Sequence, residues 1–360
     1  MRIAFLMVDY TLPRGGERVT ATLANCLSEK DEVHIISLYQ GQPTPFFSFH
    51  SDIHIHVLHA DRNINPNFFA KLKRKWTELY RLKGVLKSLD LACCIGVGSY
   101  PSTLLGILRR WYPSAVSYWA WEHSNYFALS SIWRYLRLVA YKKLTGVVCI
   151  TQADAELYQR KFKRVVFIPN VIEPVTSIPD THKKKQVLAI GALEKEKGFD
   201  LLIEAFSFVK KQAADWSLLL VGEGSEASFL QNMVAEKGLQ SFVEFLPNQK
   251  NLGSIFAQSS IYVLPSRREG FGMVILEAMS YGLPCISFDC PVGPASIIRH
   301  QENGLLVQAG DVHQLAQTIV CLLNDKPLQD KLVQAGFHSV QQYWPEQVVP
   351  IWLSLFKQRL

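Results

Sequence analysis

Short apolar runs of strand length alternate with segments of helical spacing along the chain, and midway the series stops and starts afresh. In the first half the runs fall at residues 3–8, 33–38, 53–58, 91–97, 115–118 and 146–150; in the second they fall at 187–190, 217–221, 243–246, 261–264 and 285–288. Such alternation predicts parallel sheets covered by helices on both faces. The polar, proline-containing stretch Glu173 to Asp180 and the run Lys183-Lys184-Lys185 separate the two series and predict a linker at about 170–183. The expected fold class is α/β, with two doubly wound halves over residues 1–170 and 171–341. A chain of 360 residues also exceeds what one hydrophobic core usually supports. Parallel sheets bind ligands beyond the carboxyl ends of their strands, so the cleft between the halves is the expected site.

Composition narrows the class further. With 48% hydrophobic and 19% charged residues the chain reads as globular. The apolar run at Met1–Asp9 is too short for a signal peptide, is broken by a carboxylate, and reads as a buried strand. No run of about eighteen uncharged apolar residues occurs, so no spanning helix is expected. Seven cysteines, an odd number without metal-type spacing, sit mostly in apolar stretches, as Cys93, Cys94 and Cys149 do. Reduced, buried thiols in a cytoplasmic protein are expected.

The net charge of +7 is unevenly placed. Lys and Arg outnumber Asp and Glu by 22 to 12 over residues 1–170, and are outnumbered by 16 to 19 over residues 171–360. The densest basic stretch, Lys71-Leu72-Lys73-Arg74-Lys75-Trp76, continues through Arg81, Lys83 and Lys87 with leucines near helical spacing. Two readings stand: a basic amphipathic helix on an anionic membrane surface, or a solvated helix face whose apolar side packs on the core. No recognition motif accompanies the charge, and no nucleic-acid partner is expected.

Three loops at strand ends carry residues suited to phosphate and sugar chemistry. After the first strand, Gly15 and Gly16 open a helical segment; glycines there let backbone N–H groups approach an anion, although a plain tight turn also explains them. The first strand of the second half leads into residues 190–200, where Lys197 beside Gly198 can neutralise a diphosphate or can simply be a surface lysine. The most informative segment is Leu264 to Met279. A strand ends, Gly270 and Gly272 make a turn, and a helix begins near Phe271 with Met273 and Val274 in its first turn. Glu269 can accept hydroxyl hydrogen bonds, and Glu277 lies about two turns into a helix that is apolar nearly all round. A buried carboxylate needs partners, and nucleotide hydroxyls would supply them.

The spacing Glu269-x7-Glu277, with Pro265-Ser266 before it and Gly282-Leu283-Pro284 after it, resembles the retaining glycosyltransferases of family 4, which have the GT-B fold. The early Gly-Gly loop, Thr151 before a helix, Ile168-Pro169-Asn170, Gly191 to Gly198, Val221 to Gly224 and Asn303 to Val307 follow in that family's order. Trp121 to Tyr126 and Ser287 to Pro294 are similar to members that build bacterial surface polysaccharides.

The resemblance implies an acceptor-side first domain and a donor-binding second domain, with a C-terminal helix at about 342–360 packing back on the first. It implies that Glu269 contacts the donor sugar, Glu277 the ribose and Lys197 the diphosphate, while the amides of Gly270, Phe271 and Gly272 contact sugar or phosphate oxygens. His123 would face the transferred sugar from the first domain; a hydrogen-bonded structural histidine is the alternative. Catalytic residues are thus expected at Glu269, His123 and Lys197, and donor contacts also at Gly15, Gly16, Met273 and Val274. The implied reaction moves a hexose or N-acetylhexosamine, with retention, from a nucleotide-sugar such as a UDP-sugar to a lipid-linked or oligosaccharide acceptor. No metal or other cofactor is expected, and the enzyme would lie peripherally on the cytoplasmic face of the membrane. The family usually has arginine where this chain has Ala192; either Lys195 or Arg267 compensates, or donor affinity is reduced. A non-catalytic membrane-associated module and a UDP-sugar epimerase are the alternatives on the same fold.

Overall fold

The computed structural model describes residues 1–59, 68–124, 126–127, 130–178, 182–291 and 293–357, the side chains of 68–73 excepted. Of the features singled out in the sequence, the side chains of Lys71, Leu72 and Lys73, residues Asn125, Pro179, Asp180 and Val292, and positions 358–360 lie outside the described residues. The chain divides into two compact units, Met1–Glu173 with Tyr343–Leu360, and Pro174–Gln342.

Among the described residues the first unit holds seven strands: β1 (Arg2–Asp9), β2 (Glu32–Tyr39), β3 (His54–His59), β4 (Cys93–Val97), β5 (Ser117–Glu122), β6 (Gly146–Cys149) and β7 (Val165–Phe167). They pair in the order β3-β2-β1-β4-β5-β6-β7, every pairing parallel. Helices Gly15–Ser28, Phe68–Ser88, Ser99–Trp111, Ser131–Tyr141 and Gln152–Gln159 join them. Continuous apolar strands such as β1 and β4 fit burial on both faces, and Ile3, Phe5, Cys94 and Ile95 are fully enclosed.

Among the described residues the second unit holds six strands: β8 (Gln186–Ile190), β9 (Ser217–Val221), β10 (Val243–Leu246), β11 (Ile261–Leu264), β12 (Cys285–Asp289) and β13 (Leu305–Gln308). Their order is β10-β9-β8-β11-β12-β13, again wholly parallel. Helix Phe199–Gln212 turns Leu202, Phe206 and Val209 onto this sheet at helical spacing. Each such side chain contributes about 1.5–3 kcal/mol, and Phe206→Ala would cost about 3–5 kcal/mol.

Three strand features differ from the sequence expectation. Strand β5 begins at Ser117 and runs on to Glu122, past the expected run at 115–118, because Trp119, Ala120 and Trp121 carry the apolar run further and are core residues. Strands β7 and β13 were not anticipated; they are three and four residues long and continue the sheets at their edges.

Helix Pro345–Lys357 belongs to the first unit. It buries Val348, Trp352, Leu355 and Phe356 along one face. The Trp352 ring meets Trp121 of β5 edge-on, with centroids 4.9 Å apart.

Candidate active site

In each sheet the strand order reverses beside the first strand, between β1 and β4 and between β8 and β11. Loops diverge at such a point and leave room for a ligand at the carboxyl ends of the strands. Lys197 follows β8, and Glu269 follows β11.

The two loops of the second unit are laced together. The Arg267 N–H donates to the Glu196 carbonyl at 2.8 Å, and the Arg267 guanidinium donates to the Lys195 carbonyl at 2.9 Å. Both terminal nitrogens of Arg267 also reach the Asp200 carboxylate at 2.6 Å, a bidentate pair that fixes the guanidinium. Gly198 makes this approach possible: its φ is +66°, and a Cβ there would lie 2.0 Å from the Pro265 carbonyl oxygen.

On this frame Lys197 Nζ meets Glu269 Oε1 at 2.5 Å, and Ser266 Oγ donates to the same oxygen at 2.9 Å. The Glu269 side chain is 9% exposed and that of Lys197 30%. An ion pair with so open a partner adds no more than about 1 kcal/mol to stability, so its consequence is placement of the two groups.

Gly272, at φ +94°, caps helix Met273–Ser280 and turns the chain directly from Glu269 into the helix. Phe271 and Gly272 are buried, whereas Gly270, Met273 and Val274 are half-buried. Gly293, after β12, lies against this turn; a Cβ there would stand 2.9 Å from Glu269 Cβ and 3.3 Å from the Phe271 nitrogen. Glu277 is 6% exposed on a helix whose Ile275, Leu276, Ala278 and Met279 are all buried. Beneath both carboxylates Tyr262 is fully buried, and burial first, then the charge of Glu269, raises its hydroxyl well above the ordinary tyrosine range.

The first unit carries the other predicted residues. Asp9, at the end of β1, accepts from the backbone and hydroxyl of Thr11 at 3.0 and 2.6 Å and from the Gly41 N–H at 2.9 Å, which fixes the loops around helix Gly15–Ser28. Gly15 is exposed at that helix start. Gly16 faces His123, whose ring carbon Cγ would lie 3.8 Å from a Cβ at Gly16.

His123 follows β5 and rests against Trp121, ring centroids 4.3 Å apart, and Trp121 in turn rests against Trp352. Removal from water lowers the imidazole to about 3, so it is neutral at physiological pH. The segment after it is held by polar ties: the Tyr126 N–H donates to Asp154 at 3.0 Å, and Thr151 caps helix Gln152–Gln159.

The structure thus brings Lys197, Glu269 and the Gly270 to Val274 turn together in one unit, and Gly16 with His123 in the other. Sequence reasoning assigned no role to Ser266, Asp9, Asp200 or Tyr262. Nor did it give a role to Glu17, half-buried in the first turn of helix Gly15–Ser28, where burial raises the carboxyl to about 7 against the pull of Arg14. Its position directly after Gly16 was the available signal. Arg267 is engaged by Asp200, and Lys195 is exposed. Arg74, grouped in the sequence with outward cations, instead donates to the Tyr39 hydroxyl at 3.0 Å and pairs with buried Glu78 at 3.3 Å.

Two parallel-stranded, Rossmann-like units of this kind define the GT-B class. The family described as Glycosyltransferase Family 4 matches residues 13–175, and that described as Glycosyl transferases group 1 matches residues 176–339, so the two together take in most of the chain. The chain belongs to the family 4 type of glycosyltransferases.

An uncharacterized glycosyltransferase of Haemophilus influenzae is 27% identical over 98% of this chain and 99% of its own. The amylovoran biosynthesis glycosyltransferase AmsD of Erwinia amylovora is 26% identical over 96% and 97%. A Campylobacter jejuni alpha-1,4-N-acetyl-D-galactosaminyltransferase, named for a PP-undecaprenol-linked glycan, is 24% identical over 99% of both chains. Among solved structures, the lipopolysaccharide outer core galactosyltransferase WaaB in its apo form superposes with a TM-score of 0.78 at 18% identity over 100% of both chains. Anabaena HepE in complex with UDP and glucose superposes with a TM-score of 0.82 at 17% identity over 99% of both.

Proposed function

We propose that this glycosyltransferase transfers a hexose or N-acetylhexosamine, with retention, from a UDP-sugar to a lipid-linked or growing polysaccharide acceptor. In this reading it needs no metal ion and works peripherally on the cytoplasmic face of the membrane. The observation that carries the reading is the Lys197–Glu269 contact of 2.5 Å where β8 and β11 diverge. Names of relatives support it: one is an amylovoran biosynthesis enzyme, one is named for a PP-undecaprenol glycan, and a fold neighbour was solved with UDP and glucose.

Each residue then has a task. Lys197 has three N–H donors; Glu269 takes one, and the diphosphate takes the others as the leaving group gains charge. Both hydrogen bonds to Glu269 described above arrive at Oε1, which presents Oε2 to a sugar hydroxyl. The amides of Gly270 to Gly272 and the start of helix Met273–Ser280 stabilise oxygens of the donor. Glu277 accepts from the ribose. His123, neutral, exchanges a hydrogen bond with a hydroxyl of the transferred sugar. The acceptor attacks from the face the diphosphate leaves, so the rate enhancement comes from positioning and charge stabilisation.

The test is turnover of a panel of UDP-sugars to UDP with a polyprenyl-diphosphate-linked glycan, in EDTA, with the product anomer read by NMR. Retained configuration and UDP release are expected. Inversion, or an epimerised UDP-sugar without UDP release, would replace the reading. So would the lack of any thermal shift at saturating UDP, since a ligand of the folded state must stabilise it.

A further inference from the structure

Helix Ser131–Tyr141 is built inside out. Its inward side carries Arg137, 1% exposed, whose guanidinium stands 3.7 Å from the buried Glu122 carboxylate and donates to the Tyr126 carbonyl at 2.8 Å. Its outward side carries Ile132, Tyr135, Leu136 and Val139, spaced at three and four residues and all exposed, Ile132 to 74%. Trp133 is exposed beside them. Water-soluble surfaces scatter large apolar groups singly; a helical stripe of them marks a contact surface.

The patch continues onto the neighbouring helices, and cations stand on its aromatic rings. Lys75 lies 4.8 Å above the Trp133 ring and Lys83 lies 3.2 Å above Tyr112. The exposed Trp76 and Trp111 stack 5.4 Å apart. Apolar stripe, aromatic rim and flanking lysines are the groups that the acyl boundary, the headgroup layer and anionic phosphates respectively take. A protein partner would have no need of this layering, and the excess of Lys and Arg over residues 1–170, 22 against 12, favours an anionic surface.

We propose that helix Ser131–Tyr141 lies in the plane of an anionic bilayer, its Ile132, Leu136 and Val139 stripe inserted at the acyl boundary, with Lys75, Lys83 and the surrounding aromatic rings in the headgroup layer. Residues 124–130 alone separate this helix from His123. Insertion therefore keeps the His123 end of β5 near the headgroups, where a lipid-linked acceptor is presented; that consequence rests on the proposed acceptor. The attachment itself does not, because it is read with vesicles and no substrate.

The probes are vesicles of phosphatidylethanolamine with phosphatidylglycerol, and vesicles of phosphatidylcholine alone. The full chain is expected to sediment with the anionic vesicles and to remain partly bound at about 1 M salt, where the screening length falls to about 3 Å. The variant Ile132→Ser, Leu136→Ser, Val139→Ser should lose that salt-resistant fraction about tenfold or more. These side chains are exposed, so the melting temperature and transfer to a short water-soluble acceptor should stay as in wild type. Brominated lipids should quench tryptophan emission, and Trp133→Phe should reduce the quenching even if the triple variant folds poorly. Complete release of wild type by salt, unchanged binding of the triple variant, or a dimer that the triple variant abolishes while vesicles bind neither form would overturn the proposal. Loss of transfer in solution by the wild type would count against the proposed reaction and leave the attachment standing.

Discussion

Lys197 and Glu269 lie 72 positions apart in the sequence and 2.5 Å apart in space. The loops that carry them are tied backbone to backbone through Arg267 and Glu196, which holds the two strand ends in one arrangement. The pair is therefore one device with two charges, and its members should not act independently.

Glu269→Gln is expected to lower transfer by at least about tenfold, or about 1.4 kcal/mol of barrier, since an amide accepts weaker hydrogen bonds than a carboxylate. Lys197→Ala should lose a comparable amount. The double variant should lose less than the product of the two, as groups acting as a unit do. Steady-state kinetics with purified donor and acceptor decide it. Near-normal turnover by Glu269→Gln would remove that residue from the mechanism.

Two groups act on the pH dependence of stability in opposite directions. Glu17 binds its proton more tightly when folded, at about 7 against an ordinary 4.5, so its contribution is full at low pH and lost as pH rises through that window. His123 is depressed to about 3 from 6.5, so its contribution is present above 6.5 and lost as pH falls toward 3. Both act between about 4.5 and 6.5. Relative to wild type, Glu17→Gln should lose stability on acidification, and His123→Gln should gain it, in melting temperatures across this range. Superimposable curves for Glu17→Gln and wild type would show that its carboxyl is not perturbed.

Gly198 and Gly238 have nearly the same backbone angle, φ +66° and +65°, in different surroundings. A Cβ at Gly238 has no neighbour within 4 Å, so Gly238→Ala carries only the backbone penalty of about 1–2 kcal/mol. Gly198→Ala must also move the Pro265 carbonyl away, and should cost about 1–3 kcal/mol more by the same logic as overpacking. It should weaken transfer as well, because Lys197 would be displaced from Glu269. Equal shifts in the denaturation midpoint for the two variants would argue against the tight crossing.

Trp352→Ala should cost about 3–5 kcal/mol, a large part of a typical total stability of about 5–15 kcal/mol. The loss should fall on the first unit, because Trp352 packs on Trp121, and Trp121 on His123. Calorimetry should show the transition of that unit shifted and the other left in place. A uniform shift of a single transition would mean that the two units unfold as one.

The sheets were largely legible because a strand buried on both faces announces itself as a continuous apolar run, as β1, β4 and β11 do. Strands β7 and β13 are too short for any period to register, and β5 reaches past the expected run through the apolar Trp119, Ala120 and Trp121. Lys197 and Glu269 stood out because glycine turns mark the strand ends beside them. Ser266 and Asp200 did not, since their importance lies in what they hold across the fold.

Helix Ser131–Tyr141 shows a different limit. Its spacing separates an apolar face from one bearing arginines, but spacing cannot tell which face turns inward when a distant carboxylate, Glu122, waits to receive Arg137.

The first unit is interrupted in the chain, with Pro174–Gln342 made between its two parts. During synthesis Trp121 has no Trp352 ring to cover it until the whole second unit has emerged. Domains tend to fold as their residues leave the ribosome, so the unit begun first is here completed last, and the inserted one can close its core before it. A nascent chain halted before Tyr343 would therefore carry a finished second unit beside a first one still exposing indole to chaperones.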